Sequence, residues 1–255
     1  METQIGPEAR VVFFSDAHLG SEPGEELSQR QGRVCDFLEQ VAGPAQALVI
    51  LGDLFDFYFE YGTVLPARYL RVMAALEKLS RTGVSCYYIA GNHDFWLGEL
   101  FSRTLGVKVI RDSLVLVRES ERAERVFAAH GDGLGEGDTG YKILKKILRN
   151  RALIRLFRMI HPDWGYALAR LTSRTSRQYT ARLQGSRVEA AAATAGSLLE
   201  SHPELDAVIL AHTHQPDRRQ FHRGLYLNSG DWCEHSSYIV WTPGKFELKN
   251  FDPAS

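Results

Sequence analysis

The sequence predicts an α/β fold built on a largely parallel sheet and interrupted late in the chain by a helical insertion. Over the first 130 residues, short β-branched or aromatic apolar runs alternate with stretches of helical periodicity. Each of these runs leads directly into Gly, Asp, Asn or His. From Tyr141 to about Ser201 the strand pattern disappears, and it returns at Ala207 to Leu210. A chain of 255 residues with 44% hydrophobic content can bury one sizeable core, and a single domain over 1–255 fits better than two equal halves.

The elements follow in order. Arg10 to Phe14, Ala47 to Leu51, Val84 to Ile89 and Arg125 to Ala129 read as strands. Between them, Glu25 to Val41 and Pro66 to Arg81 carry helical spacing, the second with Leu70, Met73, Leu76 and Leu79 on one face. The insertion, 141–201, reads as three helices broken near His161-Pro162 and Gly185. The closing runs Leu225 to Asn228, Ser237 to Trp241 and Phe246 to Leu248 read as antiparallel strands that complete a second sheet. Lying between two clusters of polar residues, the insertion is expected to hang over the site as a cap.

The net charge of -1 conceals an asymmetry. Between Tyr141 and Arg187 twelve Lys or Arg stand against one acid, Asp163, so this segment is +11 and the remainder -12. Leu144, Ile147, Leu148, Leu153, Ile154, Leu156, Phe157 and Ile160 interleave with the basic residues. A helix of that composition can meet acyl chains on one face and anionic head groups on the other, which predicts peripheral contact with an anionic membrane surface. No recognisable nucleic-acid module accompanies the charge, and nucleic acid is not expected as a partner. Cys35, Cys86 and Cys233 are too scattered for a disulfide framework or a zinc cluster, which points to a reducing compartment. The run VVFF is too short for a signal peptide, and no stretch approaches the roughly 18 apolar residues of a membrane span. A cytoplasmic protein is the expectation.

The chemistry is concentrated in five polar clusters at predicted strand ends: Asp16 and His18 in SDAHL, Asp53 in LGDLFD, Asn92-His93-Asp94 in GNHD, His130 in HGD, and His212 and His214 in AHTH. Carboxyl ends of strands are where open α/β sheets place their sites. Alternation along an extended strand would put Asp16 and His18 on one side and Ala17 on the other. A carboxylate such as Asp53 can bridge two ions with its two oxygens, and the Asn92 amide oxygen and three imidazoles complete a set suited to manganese, iron or zinc. Seven such donors satisfy a two-metal site, in which ions roughly 3.5–4 Å apart polarise phosphoryl oxygens and generate a hydroxide for in-line attack.

The ordered blocks DxH, GDxxD, GNHD, HGD and AHTH resemble those of the calcineurin-like metallophosphoesterases over nearly the whole chain. The resemblance implies a four-layer α/β/β/α sandwich. It also implies one ion held by Asp16, His18, Asp53 and His214 and a second by Asp53, Asn92, His130 and His212. His93 would contact the scissile phosphate and protonate the leaving group, with Asp94 orienting it. SDAHL, LGDLFDFY, GNHDFWLG and HGDGLGEGDTGY, followed by the basic insertion, are further similar to the UDP-2,3-diacylglucosamine pyrophosphohydrolases of lipid A synthesis. That likeness implies release of UMP and lipid X, usually with manganese, at the inner membrane surface. In it Asp138, Tyr141, Ser176, Arg177 and Arg174 reach the substrate, together with Asn92 and His93. Many members of this group carry Arg where this chain has His93. Another phosphodiester or nucleotide pyrophosphate stays open as the substrate, and so does a non-catalytic metal-dependent scaffold.

Overall fold

A computed structural model describes residues 1–22, 24–120, 122–134, 146–168 and 184–253. One six-stranded sheet has the order β1 (Glu2–Ile5), β6 (Ser113–Arg118), β7 (Glu124–Ala129), β8 (Ala207–Leu210), β10 (Leu225–Ser229), β9 (Pro216–Gln220). The other runs β12 (Lys245–Asn250), β11 (Ser237–Thr242), β2 (Val11–Phe14), β3 (Ala47–Ile50), β4 (Ser85–Ile89), β5 (Val107–Ile110). Strands β2 to β5 pair in parallel, as do β7, β8 and β10.

The two sheets face each other, and strand periodicity assigns the side chains. Val11 and Phe13 of β2 enter the core between the sheets, where Val49, Tyr87, Leu116, Val126, Ile209 and Leu227 also lie. Val12 and Phe14 point the other way, into a core shared with helices α1 (Gly24–Phe37) and α2 (Leu70–Arg81) through Val34, Phe37, Val72 and Leu76. On the opposite outer face, helix α5 (Gln184–Ser201) packs Ala192, Ala195 and Leu199 against Val208, Leu210 and Tyr226. The order is helix, sheet, sheet, helix, the expected four-layer sandwich.

Several expectations need correction. Strands β1, β5, β6 and β9 were not read from the sequence; Pro216–Gln220 is mostly polar, and edge positions need no apolar alternation. Leu225–Ser229 pairs antiparallel with β9 as expected but parallel with β8, and it lies in their sheet rather than beside β11 and β12. Only β11 and β12 close the other sheet in antiparallel fashion. Leu70 is half exposed, and the buried stripe runs from Tyr69 through Val72, Met73, Leu76 and Leu79. Gly185 is the second residue of α5, whose start at Gln184 lies where a break was expected. Within 141–201, α4 (Arg151–Phe157) is capped by the Asn150 side chain, which accepts from the amides of Ala152 and Leu153. A further helical turn pair covers 162–168, and α3 (Glu99–Arg103) follows the GNHD loop. No described helix is long and apolar enough to cross a membrane.

Candidate metal centre

The five polar clusters follow β2, β3 and β4 of one sheet and β7 and β8 of the other, so both sheets deliver side chains to one end of the sandwich. The geometry that brings Asp16 and His18 together is not strand alternation. Their φ angles are 52° and 42°, and Asp53, His212 and His214 also lie at positive φ, at 52°, 69° and 60°. Residues with side chains pay for left-handed backbone, and such strain persists only where surrounding structure enforces it. Here the ladder enforces it beyond the strands: the amides of Asp16 and His18 donate to Gly52 O at 3.1 Å and Asp53 O at 3.0 Å. Gly52 sits at φ 91°, and a side chain there would meet Gly91 Cα and His130 Nδ1 at 2.7 Å. The glycine of GD is what lets three loops close on one another.

Two groups of donors result. In the first, His18 Nε2 and His214 Nε2 are 3.1 Å apart, and Asp16 Oδ1 stands 3.7 and 3.4 Å from them. In the second, His130 Nε2 lies 3.4 Å from Asp53 Oδ2, 3.1 Å from Asn92 Oδ1 and 3.2 Å from His212 Nδ1. Asp53 Oδ2 is also 3.9 Å from His18 Nε2, which puts this one carboxylate between the groups. Asp16–His18–His214 and Asp53–His130–His212 each offer ligand atoms close enough for one ion.

The donor set fits divalent cations. Asp16 Oδ1 and His18 Nδ1 are buried without a hydrogen-bond partner, a costly arrangement that a cation would relieve at the carboxylate. Each close pair of imidazole nitrogens needs either one proton between them or a shared cation. Burial works against ionising Asp16, yet the His18 and His214 imidazoles facing it hold its carboxyl well below the ordinary range. Burial likewise opposes a charged His130, and the Asp53 carboxylate outweighs it, raising the ring to about 10. Burial, then the positive His130 and Arg187, hold His212 well below the usual imidazole range. His130 Nδ1 donates to Leu51 O at 2.6 Å, leaving Nε2 as the nitrogen facing the centre. Ser15 Oγ donates to Asp16 Oδ2 at 2.5 Å and meets Ser229 Oγ at 2.7 Å, so the carboxylate is fixed from behind.

His93 is half buried beside this centre, its ring edge-on to His18 with centroids 4.8 Å apart. Its orienting partner is not Asp94. The ring Nδ1 donates to the main-chain oxygen of Asp56 at 2.7 Å and lies 3.7 Å from an Asp56 carboxylate oxygen. Asp94 instead ties down the loop, accepting from the Tyr88 hydroxyl, from Gly91 N at 2.9 Å and from Phe55 N at 3.4 Å. Burial, with Asp53 nearby, pushes its carboxyl up to about 6. Asp56 was not singled out from the sequence, although it is the last residue of the GDxxD block, and that spacing was the signal available. Asp138, Tyr141, Arg174, Ser176 and Arg177 lie outside the described residues. Trp96 is stacked on Phe157 at 5.3 Å and donates to Leu148 O at 3.0 Å.

Carboxylates and imidazoles converging from the strand ends of a four-layer α/β sandwich define the class of metal-dependent phosphoester hydrolases. The chain belongs to the calcineurin-like phosphoesterase family, whose profile matches residues 9–216. It is therefore a hydrolytic enzyme of the phosphoesterase class. Among curated proteins it is similar to the UDP-2,3-diacylglucosamine hydrolase of Porphyromonas gingivalis, 30% identical over 263 residues that cover 96% of this chain and 98% of the relative. The protein of the same name from Aeromonas salmonicida is 31% identical over 94% of this chain and 92% of its own. That from Nitrosococcus oceani is 29% identical over 94% of each. Among solved structures, the phosphoesterase Yfce from E. coli shares 17% identity at a TM-score of 0.47, over 96% of this chain and 95% of that one.

Proposed function

We propose that this enzyme hydrolyses the pyrophosphate of UDP-2,3-diacylglucosamine to UMP and lipid X. The observation that carries the two-metal part of this reading is the position of Asp53 Oδ2, 3.4 Å from His130 Nε2 in one donor group and 3.9 Å from His18 Nε2 in the other. Asp16, His18, Asp53 and His214 would hold one ion, and Asp53, Asn92, His130 and His212 the second. Two divalent ions, manganese or else iron or zinc, would supply Lewis acidity toward phosphoryl oxygens and lower the pKa of water. His93, its Nδ1 committed to Asp56, presents Nε2 as the group that contacts the phosphate and hands a proton to the leaving oxygen. The names of the relatives support the substrate.

In this reading 141–201 is a cap inserted into one catalytic domain spanning 1–255. Its described part supports a lipid-facing role. Met159 is 83% and Trp164 73% exposed, beside exposed Leu153, Leu156 and Leu168 and exposed Arg155 and Arg158. Large apolar side chains left in water beside arginines suit an anionic lipid surface, which would place the enzyme peripherally at the inner membrane. A soluble phosphodiester or nucleotide pyrophosphate is the second reading, favoured by the half-buried His93 at a position where an arginine is common among the similar pyrophosphohydrolases.

Phosphorus NMR of the manganese-loaded protein with UDP-2,3-diacylglucosamine tests the proposal, with Asp53→Asn as the control. Signals of UMP and lipid X, absent with the variant, are expected. An unchanged spectrum beside active hydrolysis of bis(p-nitrophenyl) phosphate overturns the substrate and retains the phosphoesterase.

A further inference from the structure

Arg187, near the start of α5, brings its guanidinium into hydrogen-bonding contact with His212 Nε2. Other arginines around this end of the molecule are matched with acids: Arg219 with Glu189 and Asp217, Arg149 with Asp112, Arg30 with Glu22. Among the described residues no carboxylate pairs with Arg187. Glu189, the nearest acid in sequence, is held by both terminal nitrogens of Arg219 at 2.7 Å.

The contact becomes unbalanced once the centre holds a cation. His212 Nδ1 faces His130 Nε2 at 3.2 Å and belongs to the Asp53–His130–His212 group. If that nitrogen gives its lone pair to a cation, the neutral ring carries its single hydrogen on Nε2. Nε2–H and the guanidinium N–H groups are then donors aimed at one another, and neither accepts. An anionic oxygen that both groups reach, with the guanidinium drawn aside from the ring, satisfies both. Space for one lies beside the pair: a cavity of about 70 Å³ is lined by Arg187 and His212 together with Gly131, Leu134, Ala190 and Thr213. That volume is several times what a single water requires.

We propose that Arg187 and His212 Nε2 form a two-donor clamp for a phosphoryl oxygen of the substrate, which makes Arg187 a substrate-binding residue supplied by the helix that returns from the insertion. The clamp rests on the phosphoesterase reading but not on which ester is cleaved. A guanidinium suits the task because it stays charged and donates several hydrogen bonds from one rigid plane.

The test uses the full chain loaded with manganese. Wild type, Arg187→Gln and Arg187→Lys are titrated with inorganic phosphate by calorimetry, with metal content counted in each. The phosphate Kd is expected to rise about tenfold or more in Arg187→Gln and to recover in part in Arg187→Lys, with metal content unchanged. With bis(p-nitrophenyl) phosphate the loss should fall on KM more than on kcat. Equal phosphate affinity in wild type and Arg187→Gln overturns the clamp. Loss of manganese from Arg187→Gln overturns it too, because the residue would then be a support for His212. Failure to cleave UDP-2,3-diacylglucosamine would defeat the proposed substrate while leaving the phosphate titration to decide the clamp.

Discussion

His93 Nδ1 is bonded to the main-chain oxygen of Asp56 at 2.7 Å, and this contact selects the ring's other nitrogen for the site. A carbonyl only accepts, so Nδ1 must carry hydrogen. His93→Ala is expected to lower kcat by about 10²–10⁴-fold, the range of a lost general acid, on a phosphodiester with an alkoxide leaving group, and by much less on bis(p-nitrophenyl) phosphate. Metal content should stay at the wild-type value if the two groups around Asp53 hold the ions, although His18, Asp56 and His93 also bring ligand atoms together. Steady-state kinetics with metal analysis on the same sample checks both; a variant that loses its metal would reassign His93 to metal binding.

Ser15 is fully buried and donates to Asp16 Oδ2 while its oxygen also meets Ser229 Oγ. Outer partners of this kind fix a ligand's orientation. Ser15→Ala should weaken metal affinity by about 10–100-fold with the fold retained. Competition with a chromogenic chelator measures the first and circular dichroism the second.

The backbone of Gly91 passes against Asp53, and a methyl group there would lie 2.7 Å from Asp53 N and collide with its carboxylate. Gly91→Ala is expected to cost about 1–3 kcal/mol of stability, as overpacking does, and to abolish turnover by displacing the carboxylate shared between the groups. Urea unfolding and manganese titration would show whether both losses occur; a stable variant with full metal content contradicts the crowding argument.

Burial pushes the Cys86 thiol up to about 12, from an ordinary value of 9.0. A raised pKa stabilises the fold fully below the unfolded value and loses that contribution as pH climbs through the folded one. Between about pH 9 and 12, wild type should therefore lose stability more steeply than Cys86→Val, while the two respond alike below pH 8. Urea midpoints at pH 7.5 and 10.5 make the comparison, and parallel slopes across that interval would refute it.

Much of this molecule was legible before folding. VVFF, ALVI, SCYYI and AVIL are so uniformly apolar that only strands buried on both faces accommodate them, and the donor residues follow at once in the chain. Less legible was anything set by a partner strand. The Leu225–Ser229 run reads the same in either direction, and its parallel pairing with β8 follows from the crossover that β9 makes at the sheet edge. Leu70 satisfied the helical period and still faces water, because the 3-10 turn at Ala67–Tyr69 hands the inward position to Tyr69.

By itself the sequence determined the strand cores, the order of the donor blocks and the basic insertion, since these depend on local periodicity and residue type. Tertiary structure alone decided the left-handed turns at Asp16, His18 and Asp53, the grip of Asp56 on His93, and the meeting of Arg187 with His212. The physical reason is distance along the chain: a donor's direction is set by loops from strands many residues away that hydrogen-bond across the sheet end, and no local pattern records which loops will meet.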